Sequence, residues 1–222
     1  MCFNLLVKTY TICLIGLQSR QSIVIGGGLV AARKVEGLLA ADAQVRVISP
    51  VLDPELQKMV DSGAISYTQR TYQDGDLEGA FLAIAATDDL TVNHAVWAEG
   101  TKRGCLVNVV DDPEHSTFIM PAILQRGEMS VAVSSGGGSP ALARRLRERL
   151  ENIIGPEYGI LTEILAELRP EIKAEFPPGK ARLQAALRIV DSNILNIIQH
   201  RGRNAALTYA REQLHQQNRI LA

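Results

Sequence analysis

Residues 22–34 read SIVIGGGLVAARK: an apolar run, three consecutive glycines, and a segment with helical character. Gly26-Gly27-Gly28-Leu29-Val30-Ala31 fits G-x-G-x-x-A directly after a strand, the setting in which that string carries meaning. Gly26 permits a tight turn, Gly28 lets backbone approach a pyrophosphate, and small Ala31 lets the helix pack close to the strand. The amides of Leu29 and Val30 then stand at a helix N-terminus, aimed at phosphate oxygens. A nucleotide site over Gly26, Gly27, Gly28, Leu29 and Val30 is the expectation, with a purely structural turn as the competing reading.

The same grammar continues to about residue 112. GLVAARKVEGLLAA predicts a helix with Val30, Val35, Leu38 and Leu39 available to pack on a sheet. QVRVIS predicts a second strand, and DPELQKMVDSG a helix capped by Asp53 with Pro54 in its first turn. AISYTQR, FLAIAAT and CLVNVVD read as three further strands, the last two separated by the helix TVNHAVWAEGTKRG. Strands alternating with helices imply parallel pairing, so the fold class is α/β, a Rossmann-like doubly wound sheet.

After Asp112 the pattern changes. TFIMPAILQRGEMSVAVSS offers two strands around the turn QRGE, and the glycine-rich SSGGGSP leads into the helix ALARRLRERLENII. Beyond Gly155, Ile160, Leu161, Ile164, Leu165, Leu168 and Ile172 recur at helical spacing, with Pro170 expected to kink that helix. FPPGK breaks the chain, and two more helices are expected over roughly 181–200 and 204–219.

With 46% apolar residues, a chain of 222 residues can bury a core. A net charge of −1 provides no global field for nucleic acid or anionic lipid, so neither is expected as a partner. Three widely spaced cysteines form neither a disulfide framework nor a zinc pattern, which suits a reducing cytosol. YTICLIGL is short for a signal sequence and reads better as a first strand or an entry segment. No stretch reaches the ~18–20 apolar residues of a membrane span, and a cytoplasmic protein is expected.

The second strand ends in Ser49-Pro50, where a ribose-binding acid is normally found. Ser49, Pro50 and Val51 can still contact an adenosine ribose, and no Arg follows to favour a 2′-phosphate, so NAD is preferred over NADP. Thr87 and Asp88 follow the fourth strand at the carboxyl edge where ligands of such sheets bind; a helix-capping turn is the equal alternative. Asn108, Asp111 and Asp112 end the fifth strand, and a carboxylate there can exchange a proton during hydride chemistry.

VIGGGxVAxRKxxxLL, AIAATDD, NVVDxP, FIMPA and SSGGxSPxLARxLRExLE resemble the precorrin-2 dehydrogenases, the siroheme-synthase N-terminal module and its free-standing relatives. The resemblance runs over roughly residues 9–155. It implies NAD-dependent oxidation of precorrin-2 to sirohydrochlorin, in some members followed by insertion of ferrous iron, and a homodimer built through the segment after the nucleotide domain. Asp111 matches the acid associated with both reactions. The division implied is 1–116 for the NAD-binding domain, 117–150 for dimerisation and substrate, and 151–222 for a helical domain. Leu29 departs from the family pattern, in which a polar residue is common there.

On the substrate side, Ser139-Pro140 is a good N-cap followed by Pro in the first turn. Because precorrin-2 is an octacarboxylate, Ser135, Gly136, Gly137 and Arg144, with Asn108, are also expected to contact it. A serine matching Ser135 is phosphorylated in some relatives. His115 reads either as a transient iron ligand or as a loop residue, and His94 as part of a surface helix, so no resident metal site is expected. No methyltransferase segment is read in these residues, and a separate enzyme is expected to supply precorrin-2. A different class of function, an NAD-sensing regulatory module, is weighed and disfavoured by Ser49 and by the NVVDDP and SSGGGSP motifs.

Overall fold

Strand β1 (Gln21–Ile25) is buried without alternation from Ser22 to Ile25, as a strand covered on both faces must be. In the computed structural model, which describes residues 8–215, β1 is the central strand of five. Its sheet contains β2 (Gln44–Ile48), β3 (Ser66–Thr68), β4 (Leu82–Ala85) and β5 (Leu106–Val109) in the order β3-β2-β1-β4-β5, every pair parallel. Ile25 stands opposite both Ile48 and Ala85, so three strands finish together at one edge. The strand order reverses between β1 and β4, which opens a crevice outside their carboxyl ends.

Helices α1 (Leu29–Leu39), α2 (Pro54–Asp61) and α3 (Leu90–Arg103) complete this part of the chain. One apolar cluster gathers Val24, Val45, Val47 and Ile84 with Ala31, Val35 and Leu38 of α1, and a second gathers Ile23, Ile25, Ile48 and Val107 with Val96 of α3. Neighbouring residues of β1 thus feed opposite faces of the sheet. Each fully buried Ile or Leu among them contributes about 1.5–3 kcal/mol. The face of α1 differs from expectation at Val30, which is 42% exposed; completely buried Ala31 takes the place against the sheet. The small residue brings helix and strand together, and Val30 is turned outward.

Between β3 and β4, residues 69–81 form turns rather than a helix. Two buried acids organise them. Glu99 of α3 accepts from the Tyr72 hydroxyl, from Arg103 Nε at 2.6 Å, and from the amides of Gly75 at 3.1 Å and Leu77 at 3.3 Å. Asp76 takes both guanidinium nitrogens of Arg70, at 2.7 and 2.6 Å, and the Gln73 amide at 2.8 Å. The free edge of β5 is occupied by side chains: Thr117 Oγ1 accepts from the Val107 amide at 2.7 Å and Ser116 Oγ from the Val109 amide at 2.9 Å. Such pairing blunts an edge that would otherwise recruit another strand.

The chain divides into two compact units, the first ending at Met120 and the second starting at Pro121. The second opens with an antiparallel hairpin, β6 (Ala122–Arg126) and β7 (Met129–Val133), and continues through α4 (Pro140–Glu151), α5 (Glu157–Glu175), α6 (Lys180–Val190) and α7 (Ile194–His215). Leu161, Ile164, Leu168 and Ile172 of α5 pack with Ala185, Ile189, Ile198, Ala206 and Ala210. The tail shows the break expected at 201–203: Gly202, with φ 76 and ψ 179, is non-helical, a conformation open essentially to glycine alone, and α7 is two helical stretches meeting at a kink there. A further break, not expected, falls at residues 191–193, where Ser192 Oγ donates to Ile189 O at 2.7 Å. Helix α5 continues through Pro170 to Glu175.

At the other end, residues 8–16 carry no regular structure and lead into a short 3-10 turn, Leu17–Ser19, so YTICLIGL is an entry segment rather than a strand. Cys2 lies outside the described residues. Among those described, no helix is long and apolar enough to cross a membrane.

Candidate functional site

The three glycines occupy the turn between β1 and α1, and each meets a different constraint. Gly26 has φ +121, and a Cβ there would lie 2.2 Å from the Ala86 carbonyl oxygen. A Cβ on Gly27 would lie 1.9 Å from Val51 O and 2.6 Å from Ser49 Oγ. Gly28, the N-cap of α1, has φ −85 and ψ −176, with nothing within 4 Å of a Cβ. Gly26 and Gly27 are therefore required by the protein's own packing, and the space above Gly28 is open.

That space belongs to a cleft of about 630 Å³ lined by Gly26, Gly27, Gly28, Leu29, Val30, Ser49, Pro50, Val51, Thr87 and Asp88, together with Tyr72. Its volume is that of a small-molecule or cofactor site. Every residue expected at the nucleotide site reaches this one crevice. Leu29, Val30 and Val51 are 53%, 42% and 73% exposed, apolar surface that a planar ring system would cover. The amides of the first turn of α1 lack intrahelical partners and can bind phosphate. The cleft fits a dinucleotide.

Ser49 is buried, and its hydroxyl donates to Val51 O at 2.7 Å. The residue standing in for the usual acid thus holds the β2–α2 turn in shape, with Tyr67 donating to Ser49 O at 2.9 Å. Oγ keeps accepting capacity toward a ligand. The AATDD segment divides its work. Asp89 caps α3 by accepting from the Thr91 amide at 2.8 Å, and Thr87 Oγ1 lies 2.8 Å from Asn93 Oδ1. Asp88 is left exposed on the cleft.

Beyond β5 the chain is a tight turn rather than the extended segment expected. Asp112 N bonds back to Val109 O at 3.2 Å, and Asp111, at the tip, has φ +59. Asp tolerates the left-handed region better than most side chains, yet a non-glycine residue there is uncommon and often functional. Asp111 is exposed. It lies within electrostatic reach of Lys34 on α1: burial pulls the Lys34 ammonium below the usual lysine range, and the Asp111 carboxylate opposes that pull. Asn108 is buried, and its amide donates to Phe118 O at 3.0 Å, so its side chain is committed to the fold.

Asp112, partly buried, is turned toward two imidazoles. His115 Nδ1 is 2.7 Å from Asp112 Oδ2, and His94 Nε2 is 3.9 Å from the same oxygen. Burial acts to raise the Asp112 carboxyl, but the His115 ring and amide outweigh it and hold it below the usual range. His94, read from the sequence only as part of a surface helix, is thus brought beside His115, with ring centroids 4.3 Å apart. His94 stands four residues into α3, which begins at the carboxyl edge, and the turn after β5 brings 112–115 to that same edge.

In the second unit, Ser135 Oγ accepts from the Ser139 amide at 2.9 Å, and Gly136 and Gly137 have φ +63 and +84. Ser139 caps α4 by accepting from Leu142 N at 3.2 Å. Arg144 is exposed and pairs with Glu148 at 3.1 Å.

A family of NAD(P)-binding domains matches residues 13–122, and the central domain of sirohaem biosynthesis proteins matches residues 126–153. The siroheme synthase of Methylobacillus flagellatus is 47% identical over 166 residues, 75% of this chain and 36% of that protein. The chain belongs to the precorrin-2 dehydrogenase and siroheme synthase family. Siroheme synthase 1 of Aeromonas salmonicida, another relative, is 40% identical over 190 residues, 86% of this chain and 41% of that protein. The chain therefore spans well under half the length of these relatives. The solved structure of SirC, a precorrin-2 dehydrogenase, superposes with a TM-score of 0.74 at 27% identity, covering 92% of this chain and all of that one. These family matches give no support to a regulatory nucleotide-sensing module. Lys34 and His94 are the residues that sequence reasoning left out of the site, and only Lys34, in the string VAARK, carried a signal.

Proposed function

We propose that this chain oxidises precorrin-2 to sirohydrochlorin. The observation that carries the reading is the shared sheet edge: the dinucleotide cleft lies at the ends of β1, β2 and β4, and Asp111 stands on the turn that ends β5 beside β4. NAD⁺, when bound, supplies the hydride acceptor. Gly28 and the first-turn amides of α1 receive its phosphates, Ser49, Pro50 and Val51 border its ribose, and Thr87 and Asp88 border the cleft near β4. Asp111 takes the proton released from the tetrapyrrole as the hydride leaves, so one C–H bond and one further proton are lost together. An exposed carboxylate at the tip of a left-handed turn suits that task, because it reaches substrate without a change in the fold.

Ser135, Gly136, Gly137 and Arg144 are proposed to meet the carboxylates of precorrin-2. Left-handed glycines turn backbone amides outward, and a guanidinium on a solvated helix face can exchange Glu148 for a substrate carboxylate. Asn108 supports the β5 edge from beneath. Residues 1–116 are assigned to NAD, 117–150 to dimer and substrate contacts, and 151–222 to a helical domain. The hairpin favours a homodimer: both of its outer edges are unpaired within the described residues, and Ile123 is 49% exposed. A cytoplasmic setting and ferrous iron as a second substrate complete the reading. Anaerobic incubation of precorrin-2 with NAD⁺, followed by absorbance, tests it: sirohydrochlorin must form only when protein and NAD⁺ are both present.

A further inference from the structure

We propose that His94, Asp112 and His115 form a binding site for a divalent first-row transition ion. The geometry is independent of the dehydrogenase reading. One ligand atom from each residue lies within 4.8 Å of the others. The two separations from Asp112 Oδ2 are 2.7 Å to His115 Nδ1 and 3.9 Å to His94 Nε2. Two ligands each about 2.1 Å from one cation stand roughly 3.0–3.4 Å apart, so the two separations from Asp112 lie on either side of the required value, and rotation of the half-exposed His94 ring closes the rest. To bind through Nδ1 the His115 ring takes the tautomer with its proton on Nε2, which leaves the Nδ1 lone pair for the cation.

The surroundings fix two of the three groups. Asp112 Oδ1 accepts from the His115 amide at 3.2 Å, and Ser116 Oγ donates to Asp112 O at 2.7 Å, so the carboxylate is oriented by its own loop. The His115 ring is held edge-on by Trp97 at 4.8 Å and lies 4.3 Å from the His94 ring. Oriented ligands of this kind bind metal more tightly than free ones. Solvent reaches the group, since the side chains of His94, Asp112 and His115 are 52%, 26% and 30% exposed. An ion can therefore enter and keep water or a substrate nitrogen in its remaining positions. Two imidazoles and one carboxylate suit ferrous, cobaltous or zinc ions rather than magnesium or calcium. The site sits one residue beyond Asp111, placing a held cation on the same turn as the acid proposed to act on the tetrapyrrole.

Untagged, metal-stripped protein titrated anaerobically with Co²⁺ tests the site by visible d–d absorption and calorimetry. One Co²⁺ per chain is expected, with affinity falling at least 10-fold in His94→Gln and in His115→Ala. His94 is half exposed and carries no structural hydrogen bond among the described residues, so His94→Gln must keep wild-type NAD⁺ affinity and melting temperature. Absence of Co²⁺ binding in the wild type overturns the proposal. So does binding unchanged in His94→Gln and His115→Ala, which would place the ion elsewhere, as on His200 or His215.

Discussion

Gly27 and Val51 are in such close apposition that a methyl group on the first would lie 1.9 Å from the carbonyl oxygen of the second. The Asp53 amide reinforces that approach by donating to Gly27 O at 2.6 Å. Gly27→Ala must therefore displace the β2–α2 turn, and it is expected to cost on the order of 1–3 kcal/mol of stability besides NAD⁺ affinity. Gly28→Val behaves differently. Backbone at Gly28 suits any residue and the added atoms enter open space, so the melting temperature should hold while NAD⁺ binding collapses. Calorimetry on both variants separates the two: equal loss of stability would remove the distinction between packing and ligand glycines.

The Glu99 hub should give acid sensitivity. Burial works against its ionisation, but Tyr72, Arg103 and two backbone amides outweigh this and hold the carboxyl below its usual range. Asp76 is likewise held low, first by Arg70, against the opposing effect of burial. A carboxylate whose folded pKa is depressed contributes stability above its unfolded value, about 4–4.5, and loses it as pH falls through the folded pKa. Melting temperature should therefore drop steeply below about pH 4.5. Glu99→Gln should destabilise by roughly 2–4 kcal/mol at neutral pH and converge with wild type in acid. A pH-independent difference would mean the charge is irrelevant. Because Tyr72 lines the cleft, NAD⁺ affinity should weaken as well.

Arg144→Gln tests the substrate side. Its pair with Glu148 is solvent-exposed, and such pairs contribute little to stability. An increase in KM for precorrin-2 of about 10-fold, with unchanged melting temperature and NAD⁺ affinity, is expected from loss of one charge-assisted contact. Unaltered KM would confine Arg144 to the helix surface.

Dimerisation should depend on the hairpin. Sedimentation of the wild type at micromolar concentration is expected to show a dimer, and Ile123→Lys to shift it toward monomer by placing a charge on exposed apolar surface. A wild-type monomer would remove the arrangement.

Much of this was legible because it is local. The glycine turn, the Asp53 and Ser139 caps and the QRGE hairpin each rest on residues close in sequence whose chemistry admits few alternatives. What escaped was tertiary. His94 and His115 meet only because α3 begins at the edge where β5 ends, and the turn at Asp111 follows from Ser116 and Thr117 folding back along β5. In the tail the break at Gly202 is marked by the glycine itself, whereas the turn at 191–193 has no Gly or Pro to announce it and rests on Ser192 bonding back to Ile189.

The acid at the tip of the β5 turn is the centre of the account, and single-turnover oxidation of precorrin-2 by Asp111→Asn tests it most directly. Asn adopts the left-handed conformation as readily as Asp, so fold and NAD⁺ affinity should persist. The rate should fall by about 10²–10⁴-fold, the range for a positioned acid or base. Asp112→Asn should lose far less, since its carboxylate is turned toward His115 and His94. A folded, NAD⁺-binding Asp111→Asn protein that oxidises precorrin-2 at the wild-type rate, or a reversed ranking of the two variants, would contradict it.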